Sequence, residues 1–283
     1  MKIAVLSDIH GNYIALKKCL EHAVAHNIDA YFFLGDYLGE LPYPQKTMKI
    51  LYDIREKYPC FFIRGNKEDY WINRRKDINC DWKSGNHSIG AMIYCYENLT
   101  SKDIDFFETL PICESIQFDG VEPILLCHGT PINNREKLLP DDEKKWEVVN
   151  KYSERYIVCG HTHIQQLILN DEKTVLNAGA VGVPLHSKMK TQYMILISDR
   201  QGWKHNFISL DYDVDSVIKE IHASGLWDLT PYWCKITEHL LYTGEISHGT
   251  VLNEVMRLNG YKDNWYNIED MYWDEALRMF GIE

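Results

Sequence analysis

The 283-residue chain reads as an α/β protein: a two-sheet β-sandwich flanked by helices, with a C-terminal helical extension. Three observations carry that reading. Five apolar runs (Ile3 to Leu6, Tyr31 to Leu34, Phe61 to Ile63, Ile124 to Cys127, Tyr156 to Cys159) have the length and composition of buried strands. Helical patterns alternate with the early runs. From Asp211 onward the composition turns to helices with legible ends. The expected organisation is a core of residues 1–210 and an extension, residues 211–283, packed on or capping it.

After the first strand, Ile14, Ala15, Cys19, Leu20, Ala23 and Val24 recur at helical spacing and predict a helix from about Tyr13 to Ala25. A second strand reaches Gly35, a helix follows the Pro42 and Pro44 turn from about Gln45 to Lys57, and a third strand reaches Arg64. This βαβαβ order implies right-handed crossovers and a parallel sheet. Residues 66–98 look like the least regular part of the core. Strands at Arg155 to Cys159, Gln165 to Leu169 and Thr174 to Leu176 suggest a second, mostly antiparallel half, finished by strands near Gln192 to Ile197 and Trp203 to Leu210. In the extension, Asp213 caps a helix stopped at Gly225, Thr230 and Pro231 open another ending near Gly244, and Ser247 opens a third ending at Asn259-Gly260. A last amphipathic run carries Ile268, Met271, Tyr272, Ala276, Met279 and Phe280. Packing on the core, covering a site and forming a homodimer surface are all roles open to these helices.

Each of the five strands ends on residues that bind hard or borderline metal ions: Asp8-Ile9-His10, Gly35-Asp36, Gly65-Asn66, His128-Gly129 and Gly160-His161-Thr162-His163. Strand ends are where an α/β fold places its chemistry. Two carboxylates, one carboxamide and four imidazoles form a stock of oxygen and nitrogen donors suited to two divalent ions sharing a bridging carboxylate. Taken singly, Asp-x-His is an ordinary solvated turn, Gly-Asp a helix cap, Gly-Asn a turn and His128 a hydrogen-bonded loop histidine. Five together, in order, are a pattern.

That order (D-x-H, G-D, G-N, H-G, G-H-T-H) resembles the calcineurin-like metallophosphoesterase superfamily. The segments Ser7 to Asn12 and Leu176 to Pro184 narrow the resemblance to its small bacterial and archaeal phosphodiesterase branch, the diadenosine-tetraphosphatase-like proteins. The similarity covers roughly residues 1 to 245. It implies the fold of that superfamily, a catalytic domain in residues 1–210, and a phosphoesterase hydrolysing a phosphodiester or nucleotide pyrophosphate bond. It also implies one metal held by Asp8, His10, Asp36 and His163 and a second by Asp36, Asn66, His128 and His161, with Asp36 bridging and a hydroxide between the ions attacking phosphorus in line. Asp36, Asn66 and His128 thus count as catalytic as well as ligating. The mixed donors suit Mn, Fe, Zn, Co or Ni.

One departure stands out. Many members carry histidine after the Gly-Asn to assist the leaving group, whereas this chain has Lys67. Lys67 is a candidate for neutralising phosphoryl charge, and acts as an acid near pH 7 only if burial lowers its pKa. His87 is a candidate for the missing acid. Tyr70, Trp71 and Trp82 lie near Arg74, Arg75 and Lys76, a combination that stacks a base and holds phosphates, or simply packs a helix in a charged coat. Arg74, Arg75, His87, Asn12 and Asn177 are the candidate substrate contacts. The small residues of Asn177 to Pro184 would let backbone approach the metals.

Formal net charge is -11, which speaks against a backbone-driven nucleic-acid binder but leaves room for a local basic patch over the metals, and the resemblance implies a small phosphate ester or nucleotide as partner. The eight cysteines form no C-x-x-C pair and sit mostly in apolar runs, as buried hydrophobes of a reducing compartment do. Cys127 and Cys159 neighbour proposed ligands, but strand alternation turns them to the opposite face. A first strand starting at Lys2 leaves no room for a secretory presequence, and no apolar stretch spans a bilayer, so a cytoplasmic protein is expected. Two other classes compete: a non-catalytic metal-binding interaction scaffold, such as the retromer subunit of this fold, and a nuclease. The full ligand set argues against the first and the acidic balance against the second.

Overall fold

The structure is a computed structural model that describes residues 1–76, 82, 87–199, 202–261 and 268–282. Lys2–Leu6 (β1), Ala30–Phe33 (β2) and Cys60–Phe62 (β3) pair in parallel, with Tyr13–Ala25 (α1) and Pro44–Arg55 (α2) as the crossovers. Asn12 starts α1 by accepting from the Ala15 amide at 3.0 Å. Asn66–Lys76 (α3), Gly90–Glu97 (α4) and Ser101–Thr109 (α5) follow, the last opened by a reciprocal Thr100–Asp103 capping box. The described residues between 66 and 98 are therefore more regular than the sequence suggests.

The second sheet collects Cys113–Ile116 (β4), Ile124–Cys127 (β5), Tyr156–Cys159 (β6), Gln165–Leu169 (β7) and Thr174–Ala178 (β8) in the order β4-β5-β6-β8-β7, with helix Lys144–Val149 (α6) between β5 and β6. Two expectations are corrected. This half is mixed rather than mostly antiparallel, because β5–β6 and β6–β8 are parallel. Lys190–Asp199 (β9) and Gly202–Asp211 (β10) do not finish it. They return to the first sheet, where β9 takes the edge of β1 that β2 leaves open, giving β10-β9-β1-β2-β3.

Strand alternation sorts the apolar runs into layers. Ile3, Val5, Phe32 and Leu34 of the first sheet meet Leu126, Val158 and Leu176 of the second between the sheets, while Leu6, Tyr31 and Phe33 face Leu16, Cys19 and Leu51 of the helices outside. Side chains such as Phe32 contribute about 1.5–3 kcal/mol each by leaving water. Cys127 and Cys159 point to the outer core of the second sheet, and every described cysteine is free.

The extension consists of Val214–Ala223 (α7), Leu226–Leu229 (α8), Pro231–Thr243 (α9), His248–Leu258 (α10) and Asp270–Met279 (α11). Its caps are those the sequence announces: Asp213 accepts from Ser216, Ser247 from Thr250, and Gly244 ends α9 with φ +71°. Their apolar faces enclose a core of their own that also takes in Leu41, Tyr94 and Val183 from the sandwich.

Candidate metal centre

The ends of β1, β2, β3, β5 and β6 converge where the two sheets meet, and backbone bonds lock the loops together. The Asp8 amide donates to Gly35 O at 3.1 Å, His10 to Asp36 O at 3.0 Å, Gly160 to His128 O at 2.9 Å, and Gly182 to Asp8 O at 2.9 Å. At Gly160 the approach is so close that a Cβ would strike Ser7 Oγ and Asp8 Oδ2. Asp8, His10, Asp36, His161 and His163 all have left-handed backbone, with φ of 53°, 51°, 51°, 67° and 60°. Such conformations cost roughly 1–3 kcal/mol apiece in non-glycine residues and persist where surrounding structure enforces them.

All seven residues expected as ligands come together here. Ligand atoms of Asp8, His10 and His163 form one compact group, and those of Asp36, His128 and His161 a second. Asp36 lies between them, with Oδ2 3.8 Å from His10 Nε2 and Oδ1 3.5 Å from His128 Nε2. Asn66 Oδ1 joins the second group, 3.1 Å from His128 Nε2. Asp8 Oδ1 is 3.2 Å from His163 Nε2 and 3.7 Å from His10 Nε2.

Every imidazole has its other nitrogen held from outside the cluster. His128 Nδ1 bonds Leu34 O at 2.7 Å, His163 Nδ1 bonds Val183 O at 3.1 Å, and His10 Nδ1 pairs with the Glu40 carboxylate. These anchors leave the Nε2 lone pairs facing inward, the arrangement that metal-ligating histidines show. His161 is turned the other way, with Nε2 on Arg135 O at 3.0 Å, so Nδ1 is its donor nitrogen. Asp8 Oδ1 is buried without a hydrogen-bond partner, while Oδ2 accepts from Ser7 Oγ at 2.6 Å and the His161 amide at 2.9 Å. An orphaned carboxylate oxygen among inward lone pairs fits divalent cations.

The charges agree. Burial would raise the pKa of Asp8, but His163 and His128 hold it well below the usual carboxylate range; burial likewise opposes ionisation of Asp36, and His128 and His10 outweigh it. Burial also opposes the charge on His10 and His128, yet Glu40 and the aspartates push them up to about 10 and about 9. Burial and the neighbouring His128 push His161 down to about 4. What this cluster demands is positive charge.

The lysine in the histidine position is not a weakened base. Burial alone would lower its pKa, but Glu40 and Asp36 raise it above the ordinary value, and Nζ donates to Glu40 Oε1 at 2.6 Å. The condition under which Lys67 would act as an acid near pH 7, a pKa lowered by burial, is therefore not met. The candidate substrate residues are mostly engaged elsewhere. Asn12 donates to Gly182 O and Tyr212, and Asn177 to Gly160 O and Thr162 Oγ1, so both brace loops. Arg75 pairs with Asp105 and Glu108 on α5, Arg74 lies 5.7 Å from the Trp82 ring, and Trp71 is core. His87 bonds Asp270 at 2.9 Å and packs on Tyr232, away from the ligands.

A cavity of about 280 Å³ opens over the ligands. Besides His10, Asp36, Asn66, His161 and His163, its lining includes Glu40, Lys67, Tyr70 and Lys137, and from α9 and α10 Trp233, Leu240, His248 and Leu252. Sequence reasoning missed Glu40, Glu68, Lys137 and His248. Glu68, pushed up to about 7 by burial and Asp36, accepts from the Asp36, Tyr37 and Gly65 amides. Its place two residues after Asn66 was a local signal; nothing local marks Glu40 or His248, whose partners are remote.

The profile of the calcineurin-like phosphoesterase superfamily domain matches residues 1–200. The chain belongs to that superfamily. Hydrolysis of phosphoesters with divalent metals is the superfamily's chemistry, and the two ligand groups are its candidate metal sites. An uncharacterised protein of Methanocaldococcus jannaschii is 26% identical over 248 residues, covering 82% of this chain and 94% of that one. The crystal structure of a hypothetical protein from Pyrococcus horikoshii superposes with a TM-score of 0.72 at 20% identity, over 87% of this phosphoesterase and 99% of that chain. A metallophosphoesterase from Sphaerobacter thermophilus gives 0.65 at 21%, over 83% and 97%. These likenesses establish the fold. Among the described residues, no helix is long and apolar enough to cross a membrane.

Proposed function

We propose that this phosphoesterase cleaves phosphodiester or nucleotide pyrophosphate bonds at a two-ion centre, held by Asp8, His10, Asp36 and His163 on one side and by Asp36, Asn66, His128 and His161 on the other. The observation that carries the reading is the position of Asp36, one carboxylate oxygen toward each histidine group. When bound, two divalent ions supply charge that neutralises a phosphoryl group and lowers the pKa of water.

The chain's own residues define what such a site does well. The Leu34 and Val183 carbonyls and Glu40 fix the imidazoles before substrate arrives, so little reorganisation accompanies the reaction. Lys67 stands on the cavity as a cation tied to Glu40, suited to attract a phosphoryl oxygen but not to surrender a proton. That favours esters whose leaving group departs as a stable anion. Walls from α9 and α10 favour a small substrate over a polymer.

Metal-reconstituted protein should hydrolyse bis(p-nitrophenyl) phosphate, and Asp36→Asn should lose metal and activity while keeping its circular dichroism spectrum. Elemental analysis reads the first effect and p-nitrophenol release the second. Protein that binds no divalent metal under reconstituting conditions would overturn the two-ion reading.

A further inference from the structure

The part of the cavity wall supplied by α9 and α10 lies outside the superfamily domain: α9 begins at Pro231 and α10 at His248, and the domain match ends at residue 200. One polar side chain on that wall has its hydrogen-bonding sense fixed. Thr237 Oγ1 sits 2.9 Å from Trp233 O, one turn earlier, and must donate its proton there, since a carbonyl only accepts. The same Oγ1 lies 2.8 Å from His248 Nε2 and has only lone pairs left, so Nε2 carries the hydrogen and donates. Nδ1 is then a bare acceptor. It has no partner among the described residues, in a side chain that lines the cavity. The Trp233 ring, 4.7 Å away, holds the imidazole in place, and burial drives its pKa down to about 3 against the pull of Glu40, so it stays neutral.

Around this acceptor the wall is apolar, with Trp233, Leu240 and Leu252, while Lys137 is an exposed cation on the same cavity. The volume of about 280 Å³ lies just below the roughly 300–1,000 Å³ of ligand pockets, which calls for a small guest. A guest that satisfies all of this carries anionic phosphate, a flat apolar body, and an N–H or O–H donor at its edge. We propose that His248 is a specificity-determining residue whose Nδ1 accepts a hydrogen bond from the nucleoside of a small nucleoside phosphodiester with its phosphate at the ligand cluster. The inference rests on the phosphoesterase reading above.

Two diesters with the same leaving group separate the two ideas: thymidine 5′-(p-nitrophenyl) phosphate, which has N–H and O–H donors, and bis(p-nitrophenyl) phosphate, which has none. In His248→Ala, kcat/KM for the thymidine ester should fall about tenfold more than for the aryl diester, mainly through KM; this is the size of one neutral hydrogen bond, about 1.4 kcal/mol. His248→Asn, whose Oδ1 can stand where Nδ1 stood, should recover most of the difference. Equal losses on both esters, or none, would overturn the proposal. In unmodified protein, histidine nitrogen NMR should show an unprotonated Nδ1 for His248 that shifts with thymidine monophosphate and not with inorganic phosphate. This reading decides the matter if the variants do not fold, and an unmoved resonance overturns it. Unmodified protein that cleaves neither ester would sink the phosphoesterase reading and this inference with it, whereas cleavage of both without discrimination at His248 sinks only the inference.

Discussion

Lys67 and Glu40 form a buried ion pair on the cavity, Nζ to Oε1 at 2.6 Å, and the other Glu40 oxygen pairs with the imidazole of His10. Removing one partner of such a pair leaves a buried charge uncompensated, so the two side chains hold each other charged. A lysine locked this way is suited to neutralising phosphoryl charge and not to donating a proton near neutral pH.

Cleavage should therefore depend steeply on the pKa of the leaving group. Aryl diesters and pyrophosphate bonds should be cut far faster than alkyl phosphomonoesters. Lys67→His should narrow the gap by supplying an acid, whereas Lys67→Ala should chiefly raise KM. Rates for the three proteins across a leaving-group series check this, and a flat dependence in the unmodified protein would show that another group already delivers the proton.

Glu40 acts on the centre through His10, since it fixes which nitrogen faces the ligand group. Glu40→Gln keeps the shape and removes the charge. Carboxylates in this position behind a ligating histidine are worth roughly 10–100-fold in metal affinity or activity, and a loss of that size is expected here. Competition against a calibrated chelator measures it. Unchanged affinity would confine Glu40 to the pairing with Lys67.

The strands and the convergence of the seven candidate ligands were legible because buried strands declare themselves as apolar runs, and the candidate site sits where those runs stop. What stayed hidden depends on the third dimension. Left-handed backbone at Asp8, His10, Asp36, His161 and His163 is enforced by cross-loop bonds such as His10 N to Asp36 O, which no local pattern encodes. The placement of β9 beside β1 is a choice of sheet edge rather than of propensity. Arg75 was a candidate substrate contact because charge density is visible in sequence and its partners are not: Asp105 and Glu108 lie on another helix. His248 drew no notice for the same reason, being a lone histidine more than eighty residues beyond the last ligand.

That contrast can be measured with two cations. Lys137 lines the cavity and is exposed, while Arg75 is spent on α5. Lys137→Ala should raise KM for a nucleotide diester with kcat little changed, the pattern of lost uniform binding. Arg75→Ala should leave both constants nearly as they were, because its guanidinium pairs with Asp105 and Glu108 and is not among the cavity-lining residues. The opposite outcome would return Arg75, in the last turn of α3, to the substrate site.

The extension should also leave a signature in acid. In the unfolded chain an imidazole has a pKa near 6.5, whereas burial drives folded His248 down to about 3. Below about pH 6.5 the unfolded chain takes up a proton that the folded chain refuses, so the stability linked to this group is present above that pH and lost as pH falls toward 3. Between about pH 7.5 and about pH 5.5 the loss from this one residue comes to about 1 kcal/mol. His161, also pushed down, contributes in the same direction, but it is common to the unmodified protein and to His248→Asn and cancels in their comparison. Urea unfolding of the two metal-free proteins at both pH values isolates the term. His248→Asn should lose less stability on acidification by about that amount. An equal loss in both would mean that His248 already accepts a proton in the folded state, with its Nδ1 no longer free to accept a hydrogen bond.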